Sequence, residues 1–433
     1  MNKFLIAIFT VLLFSACNKQ DDPDPSPVPY PVAERTVLVY MAGENNLTKD
    51  DSYPGESYLA DDYEELLEGS YSLNSRQHLV LFIDSVGRDN PPHIVEMADG
   101  KVTDVYRYDE DFYSCDADKM LEVMNLVMEK YPSTEYGLVL WGHASGWAMS
   151  IDSIASSAKA RTSTRAYGQD QGWDVTGGTV HWMNITQMAR ALEQLPKKLL
   201  YIFADCCCFQ CLESAYELHN SAEWLIGSPA EIPGEGAPYH KMVPKLFSNS
   251  TTFYKDICDC YYDYFIDAYQ SHDYTQYSDL AYLIGYSVPM SAFKLSKMDD
   301  LATATKNILP TFMPVYPEQL DMSGVPFYFG YSNVSAMFDP KTVIQKFASA
   351  SDYAQWLSVY NQAVPCQLVS RVWMTMYGYQ YNRFGTFPTD ESLWGSTSMF
   401  FPQASYTSHP YRYNERIKYL QWYNAINWPA FGL

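Results

Sequence analysis

The chain has 433 residues, of which 47% are hydrophobic and 16% aromatic, enough to bury the core of one large domain or two. It carries 51 acidic against 29 basic residues, a formal net charge of −22 at pH 7. This charge argues against a nucleic-acid-binding protein; it favours cationic peptide ligands or serves solubility outside the cell. The nine cysteines are too few for a disulfide scaffold.

The amino terminus has the pattern of a secretion signal. It reads MNKFLIAIFTVLLFSAC, with one lysine, an apolar stretch over residues 4–14 and small residues before Cys17. The apolar stretch is too short to span a bilayer, and a cysteine after small residues is typical of a bacterial lipoprotein signal. We predict that residues 1–16 are removed and Cys17 is lipidated, against the alternative of an ordinary secreted protein. The lipid would anchor the protein without a membrane span.

Residues 17–34 continue from this cysteine as a tether. The run NKQDDPDPSPVPYPVAE is rich in Pro and Asp and has no periodicity, which is typical of an extended, charged linker. An acidic stretch directly behind a lipidated cysteine resembles the surface-export signal of some bacterial lipoproteins. We therefore predict a cell-envelope lipoprotein of the outer membrane, exposed at the cell surface. No later segment has the apolar length of a membrane span.

Strands and helices alternate along the rest of the chain. Apolar, β-branched runs predict strands at residues 36–43, 78–85, 136–143, 198–206 and 224–228. Several of these runs are apolar at both alternating sets of positions, as expected for strands covered on both faces. Helical patterns occupy residues 116–131 and the stretch after a capping Asn184. We predict an α/β fold with a mostly parallel sheet between helices.

Candidate catalytic groups follow two of these strands. His143 ends one strand in the glycine-flanked WGHASGW, and residues 206–211 follow another with four cysteines in six positions. In open α/β sheets functional residues collect at the carboxyl ends of the strands. An imidazole near a thiol favours the nucleophilic thiolate, and backbone N–H groups of a glycine-rich loop can bind an oxyanion. The pattern therefore predicts a Cys–His pair.

Other interpretations of the cysteines remain at this point. Cys208 and Cys211 form a CxxC, as in redox proteins, but cysteines precede it and the usual Gly-Pro or Trp context is missing. A structural zinc site usually needs a second ligand pair, and Cys258 and Cys260 have the wrong spacing. Cys206, Cys208 and Cys211 could also be small apolar residues that fill the core, and His143 could be a buried histidine bonded to backbone.

Five blocks in order resemble the clostripain-like cysteine peptidases, relatives of caspases, gingipains and legumain. They are TVLVYMAGENNL (36–47), YGLVLWGHASGW (136–147), ADCCCFQCLESAYEL (204–218), LIGSPAEIPGEGAPY (225–239) and GSTSMFFPQ (395–403). The resemblance implies a caspase-like sheet flanked by helices on both faces. It also implies a peptidase domain over residues 35–300, a smaller carboxy-terminal subdomain over residues 301–433, and endopeptidase activity by acyl transfer through a thioester.

The resemblance also implies which cysteine is the nucleophile. The family's nucleophile block has a glutamate six positions after the cysteine, and counting back from Glu213 gives Cys207. Cys206 and Cys208 are the alternatives to this assignment. His143 is then the partner that protonates the leaving amine.

Matching the sequence to the family's motifs in the same way assigns the remaining site residues. It also shows two departures from the family's usual pattern. Asp205 takes the position that in the family lines the pocket for Arg or Lys, and a helix-capping aspartate is the alternative. The backbone N–H groups near Ala144 and Cys207 are the candidates to hold the oxyanion. The family usually has glycine where this chain has Ala144, and Leu-Met where it has Cys208-Phe209. Because alanine does not adopt positive φ cheaply, we expect an altered histidine loop and altered specificity.

Processing and cofactors follow from the same resemblance. Relatives cut themselves between the histidine and cysteine blocks, and residues 157–172 carry Lys159, Arg161 and Arg165 in a polar stretch of loop character. We predict self-cleavage after one of these three. The chemistry requires no cofactor; calcium dependence occurs in the family, and the Glu44 loop offers oxygen ligands without a recognised calcium pattern. We expect a monomer that acts on peptides or proteins with Arg or Lys and meets the membrane only through its lipid.

One interpretation from another class remains, a catalytically silent, surface-anchored protein that binds basic peptides or glycans in the same cleft. The Tyr-rich stretch VWMTMYGYQYNRF (372–384) would suit such a binder, although an aromatic core explains it as well. The presence of both His143 and Cys207 favours the enzyme.

Overall fold

The structure, a computed structural model, describes most of the chain after the predicted tether. It covers residues 32–49, 57–87, 90–148, 167–172, 180–271, 286–313, 320–331, 334–374, 394–408 and 412–433. Contacts divide the chain into a unit Met1–Val32 and a compact unit Ala33–Leu433. The predicted signal, Cys17 and nearly all of the tether lie outside the described residues, as do Lys159, Arg161 and Arg165. No helix of the described stretches has the length and apolarity that crossing a bilayer requires.

The described residues contain the following strands and α-helices, numbered along the chain. The strands are β1 (Ala33–Gly43), β2 (Gln77–Ser85), β3 (His93–Ala98), β4 (Lys101–Arg107), β5 (Ser133–Trp141), β6 (Tyr167–Asp170), β7 (His181–Met183), β8 (Leu199–Asp205), β9 (Ala222–Gly227), β10 (Met290–Lys294), β11 (Phe327–Tyr331), β12 (Val334–Phe338) and β13 (Cys366–Leu368). The helices are α1 (Tyr58–Gly69), α2 (Ala117–Lys130), α3 (Ile185–Leu192), α4 (Leu212–Glu217), α5 (Tyr239–Leu246), α6 (Phe253–Ser271), α7 (Met298–Phe312), α8 (Pro340–Phe347), α9 (Ala350–Ala363), α10 (Ser405–Ser408), α11 (Tyr413–Arg416) and α12 (Gln421–Ala425).

The central sheet has nine strands in the order β13-β10-β9-β8-β5-β1-β2-β3-β4. Its five middle strands, β9, β8, β5, β1 and β2, are parallel. Two antiparallel strands extend the sheet at each edge. The five parallel strands are those that the apolar runs predict, so the α/β prediction is confirmed. The four edge strands are additions that the sequence patterns did not predict.

Both faces of the sheet are covered, as predicted. Leu38 and Tyr40 of β1 belong to one buried core together with residues of α2, α3, α4 and α7. Val37 and Val39 of the same strand belong to a second core with residues of α1, α5 and α6. Because residues 37–42 point alternately into these two buried cores, this run is continuously apolar rather than alternating.

The carboxy-terminal stretch contributes to the same sheet. Strand β13 lies within residues 301–433 and pairs antiparallel with β10. The predicted division at residue 300 remains a prediction.

One sequence expectation about a loop is wrong at its end. The sequence predicts a polar stretch of loop character over residues 157–172, but Tyr167–Asp170 form strand β6, which pairs with β7. The short strand is anchored by Tyr167, which is buried and donates its hydroxyl to the backbone oxygen of Tyr40 at 3.1 Å. A single buried aromatic in an otherwise polar stretch is too weak a signal to predict a strand.

Candidate active site

His143 and the cysteine cluster leave the sheet side by side. Strand β5 pairs in parallel with β8, and the last pair of their register is Trp141 with Asp205. His143 and Cys207 each lie two positions beyond that pair. Parallel neighbours end at the same edge, so the topology brings the two loops together. His143, Cys207 and Asp205 line one cavity of about 330 Å³.

Cys207 differs from the other clustered cysteines in its exposure. It is partly exposed and lines the cavity, whereas Cys206, Cys208 and Cys211 are completely buried. Burial raises the pKa of the Cys206 and Cys208 thiols well above the usual range, and that of Cys211 to about 12. These three thiols are therefore protonated at neutral pH and poorly placed to react.

The redox and zinc interpretations find no support among the described residues. All eight cysteines there are free thiols. A CxxC pair exchanges disulfides through an accessible thiol, and neither Cys208 nor Cys211 has exposed surface. Within the described stretches, the one group of three His, Cys, Asp or Glu side chains close enough to share an ion contains no cysteine.

Backbone contacts hold the loop that carries Cys207. Cys208 has a left-handed backbone, with φ of 58°, which turns the chain directly after Cys207. The Cys208 N–H then donates to the Ala230 oxygen at 2.8 Å, tying this loop to the one after β9. From that second loop the Ile232 N–H donates to Cys207 Sγ at 3.5 Å. An N–H directed at sulfur favours the thiolate over the thiol.

The loop after β5 carries His143, and we call it the histidine loop. Contacts on two sides hold it in place. His143 Nε2 lies 2.7 Å from Oδ1 of Asn46, a residue of the loop after β1 that the sequence analysis did not single out. The His143 oxygen accepts a hydrogen bond from the Gly168 N–H of β6 at 2.9 Å. Gly146 has φ of 62°, and a Cβ there would lie 2.3 Å from the Cys208 oxygen. Only glycine fits where the histidine and cysteine loops meet.

The alanine in place of the family's usual glycine needs no unusual backbone. Positive φ falls on Gly142 and Gly146, on either side of Ala144, and Ala144 is not among the residues with positive φ. Ala144 is 8% exposed and forms a bridge with Tyr167 of β6. The cost of a positive φ at an alanine therefore does not arise at this position. Ala144 is not one of the residues that line the cavity.

Asp205 lines the cavity and is only 2% exposed. Its Oδ2 accepts from the Ala237 N–H at 3.1 Å and from the Tyr239 hydroxyl at 2.7 Å, and its Oδ1 accepts from the Tyr261 hydroxyl at 3.1 Å. Burial raises the pKa of Asp205, and these three donors lower it in part. The alternative role as a helix cap is not observed, because the N-cap of α4 is Cys211.

A second carboxylate, which the sequence analysis did not predict, lies beside Asp205. Asp62 of α1 is 2% exposed, and Trp141 Nε1 donates to its Oδ2 at 2.5 Å. Burial and, after it, the negative charge of Asp205 raise the pKa of Asp62 well above its usual range. A Cβ at Gly236, a residue of the cavity wall, would lie 3.0 Å from Asp205 Oδ2 and 3.4 Å from Asp62 Oδ2. The cavity therefore has an acidic end.

The tyrosine-rich stretch predicted for the binding alternative lies mostly outside the described residues. Of its described part, Val372 and Trp373 are buried in core clusters. Met374 lines the same cavity as His143 and Cys207.

The sequence and the fold were both compared with those of known proteins. The sequence model of the clostripain family matches residues 39–431. The solved structure of a secreted C11 cysteine protease from Bacteroides thetaiotaomicron, in complex with an irreversible peptide inhibitor, is 25% identical with a TM-score of 0.70, and the match covers 92% of this chain and 100% of that one.

Two further solved structures share the fold. An inactive zymogen C11 protease from Parabacteroides distasonis is 21% identical with a TM-score of 0.69, covering 92% of this chain and 99% of its own. The secreted C11 cysteine protease iotapain from Bacteroides thetaiotaomicron is 19% identical with a TM-score of 0.67, covering 91% and 99%. A search of curated proteins finds no match. The match of the family model over nearly the whole folded unit shows that the chain belongs to the clostripain family of cysteine proteases.

Proposed function

We propose that this protein is an endopeptidase that cleaves after Arg or Lys, with Cys207 as nucleophile and His143 as its acid–base partner. The observation that carries the proposal is the single cavity lined by His143, Cys207 and Asp205. The Cys207 thiolate attacks the scissile carbonyl carbon, and the N–H groups of Ala144 and Cys207 hold the oxyanion. Protonated His143 gives its proton to the leaving amine as the C–N bond breaks, and water then hydrolyses the thioester. None of these steps uses a cofactor.

We propose that the residue before the scissile bond enters the acidic end of the cavity. Asp205 and Asp62 are both buried, and neither forms an ion pair with a Lys or Arg of the described stretches. A guanidinium or ammonium group at this position would supply the missing positive charge in a site with little water. A neutral side chain would leave any negative charge on these two buried acids uncompensated, so a basic side chain is favoured.

A panel of short fluorogenic peptides ending in Arg, Lys, Ala or Asp tests this function. We expect hydrolysis of the Arg and Lys peptides and roughly 100-fold lower kcat/KM for the Ala and Asp peptides, since each lacks the charge pair. Cleavage mainly after Ala or Asp would contradict the assigned pocket. Binding of the basic peptides without any cleavage, in the presence or absence of calcium, would instead support the silent binding protein.

We also propose that the protein matures by cutting itself after Lys159, Arg161 or Arg165. These three basic residues precede β6, whose Gly168 holds the histidine loop, so a cut among them would leave β6 attached to the chain that carries Cys207. Replacing all three with alanine is expected to leave a single uncut band on a denaturing gel, where the unaltered chain gives two fragments. A fragment pattern unchanged by the triple substitution would contradict these cleavage positions.

The location and assembly proposals rest on the sequence. We propose a monomeric outer-membrane lipoprotein, exposed at the cell surface and anchored through Cys17. Mass spectrometry of the mature amino terminus should show an acylated Cys17, and an unmodified residue at that position would contradict the anchor.

A further inference from the structure

Two buried cysteines meet where α6 packs against the edge of the central sheet. Cys258 lies on α6 and is completely buried, and Cys366 begins β13 and is 4% exposed. Both side chains belong to the core on the face of the sheet that α1, α5 and α6 cover. They are more than 100 residues apart in the sequence, so only the fold brings them together. Neither lines the cavity that holds His143 and Cys207.

The packing of α6 on β13 directs both thiols into the same space. Cys258 lies on the buried face of α6, and this helix contacts β13. Cys366 pairs with Ala292 of β10, and both of these side chains belong to the core on the α6 side of the sheet. One helical turn after Cys258, Tyr262 donates its hydroxyl to the Val369 oxygen at 3.0 Å. This bond holds α6 against the chain that continues from β13.

The two thiols, both free in this structure, contact each other. Burial and, after it, a hydrogen bond with the Cys366 thiol raise the pKa of the Cys258 thiol well above its usual range. Cys260 is not an equivalent partner, because residues two apart on a helix do not share a face. It lines a surface groove with Lys241 of α5 instead. Cys258 and Cys366 are therefore a specific pair rather than two isolated thiols that fill the core.

We propose that Cys258 and Cys366 form a disulfide bond in the mature protein. Disulfides persist in oxidising compartments, and the predicted export signal would take the chain to one. The oxidant is a second disulfide, that of a thiol–disulfide oxidoreductase of the cell envelope. One cysteine thiolate attacks a sulfur of the oxidant and displaces its other sulfur; the second cysteine thiolate then attacks the mixed disulfide and displaces the remaining sulfur. Two cysteine thiols lose two electrons and two protons, and the oxidant becomes a dithiol.

The bond is expected to form before the core closes. Thiol–disulfide exchange needs a thiolate that the oxidant can reach. In the folded chain, burial withholds both thiols from the oxidant and raises the pKa of Cys258. A chain that folds in a reducing environment should therefore oxidise slowly at this pair. Once formed, the bond is shielded from reductants by the same burial.

The bond would join two parts of the chain that shape the proposed active site. Three residues after Cys258, Tyr261 donates its hydroxyl to Asp205 Oδ1 at 3.1 Å. Eight residues after Cys366, Met374 lines the cavity. The disulfide would hold the helix that supports Asp205 to the strand that leads into the cavity wall. This consequence for the cavity rests on the proposed peptidase function, whereas the formation of the bond does not.

Refolding of the full chain carrying Cys207→Ala in a glutathione buffer tests the pairing, because this variant cannot cut itself. The chain is unfolded, reduced and refolded with a mixture of reduced and oxidised glutathione, or with reduced glutathione alone. Free thiols are then blocked with iodoacetamide in denaturant, and the chain is digested without reductant for mass spectrometry. From the mixture we expect two peptides joined through Cys258 and Cys366 in most molecules, with Cys260 alkylated. Reduced glutathione alone should give no joined peptides.

Thermal unfolding separates the bond from the packing of its two side chains. A disulfide that closes a loop of this length restricts the unfolded chain, so the oxidised parent should unfold roughly 5 °C above the reduced parent. Cys366→Ala should abolish this difference, and the matched control Cys260→Ala should keep it.

Two results would overturn the proposed bond. One is alkylation of both Cys258 and Cys366 as free thiols after refolding with oxidised glutathione. The other is a bond from Cys366 to Cys260 in place of Cys258. Because Cys207→Ala is inactive by design, absence of peptidase activity in the unaltered chain would not change either measurement.

Discussion

Replacing Cys207 with alanine is expected to lower kcat/KM for Arg and Lys peptides by roughly 10⁴-fold or more, to the background rate. Among the described residues that line the cavity there is no other cysteine, and Cys206, Cys208 and Cys211 are completely buried with raised pKa values. The same substitution should leave the chain uncut when it is expressed alone. Progress curves with fluorogenic peptides at several enzyme concentrations provide the measurement.

The matched control is Cys206→Ala, the same substitution one position earlier. Cys206 has no exposed surface, so its loss should cost some stability and leave kcat/KM within a few-fold of the original. Circular dichroism shows whether each variant is folded before its rate is interpreted. Full activity in Cys207→Ala together with loss of activity in folded Cys206→Ala would move the nucleophile by one residue and refute the assignment.

Replacing Asp205 with asparagine is expected to lower kcat/KM for Arg peptides by roughly 100-fold or more, with little change for Ala peptides. The asparagine oxygen can still accept from Ala237 N–H and the Tyr239 hydroxyl, and its amide can donate to Tyr261, whose hydroxyl is free to rotate. Shape and hydrogen bonding are therefore largely kept while the charge is removed. The ratio of the two kcat/KM values is the measurement, and it cancels general losses in activity.

The variant Asp62→Asn tests how much each of the two acids contributes to the preference for Arg over Ala peptides. Asp62 accepts from Trp141, and its exposed neighbour Asp61 serves as the matched control for the same substitution. We expect Asp62→Asn to reduce the Arg-over-Ala ratio less than Asp205→Asn does, because Asp205 itself lines the cavity. A ratio unchanged in Asp205→Asn and collapsed in Asp62→Asn would make Asp62 the selecting residue.

The five parallel strands at the centre of the sheet could be predicted from the sequence. Burial on both faces of the sheet requires a continuous apolar run in each of these strands. Strand β4 has no such run: Lys101–Arg107 are exposed at nearly every position, and its place in the sheet comes from pairing with β3. Strands β10 and β13 are short and meet across more than 70 residues of intervening sequence. Strands β10 and β13 depend on a partner that is distant in the chain, so local patterns could not predict their pairing.

Part of the site could be predicted for a similar reason. His143 ends one predicted strand and Cys207 directly follows another, and the ends of parallel neighbours meet at one edge. Asn46 lies 97 residues before His143, and Asp62 lies on a helix whose polar residues look like a solvated face. Only the packing of α1 against the end of β5 reveals Asp62 as a buried acid.

Covalent labelling tests the central assignment most directly. The unaltered chain is incubated with an irreversible peptidyl halomethyl ketone ending in Arg, digested, and analysed by mass spectrometry to locate the modified residue. We expect the label on Cys207 alone, with an Ala-ending analogue reacting much more slowly because it lacks the partner for Asp205. A label on Cys206, Cys208 or Cys211, or no label in a preparation that cleaves Arg peptides, would contradict Cys207 as the nucleophile.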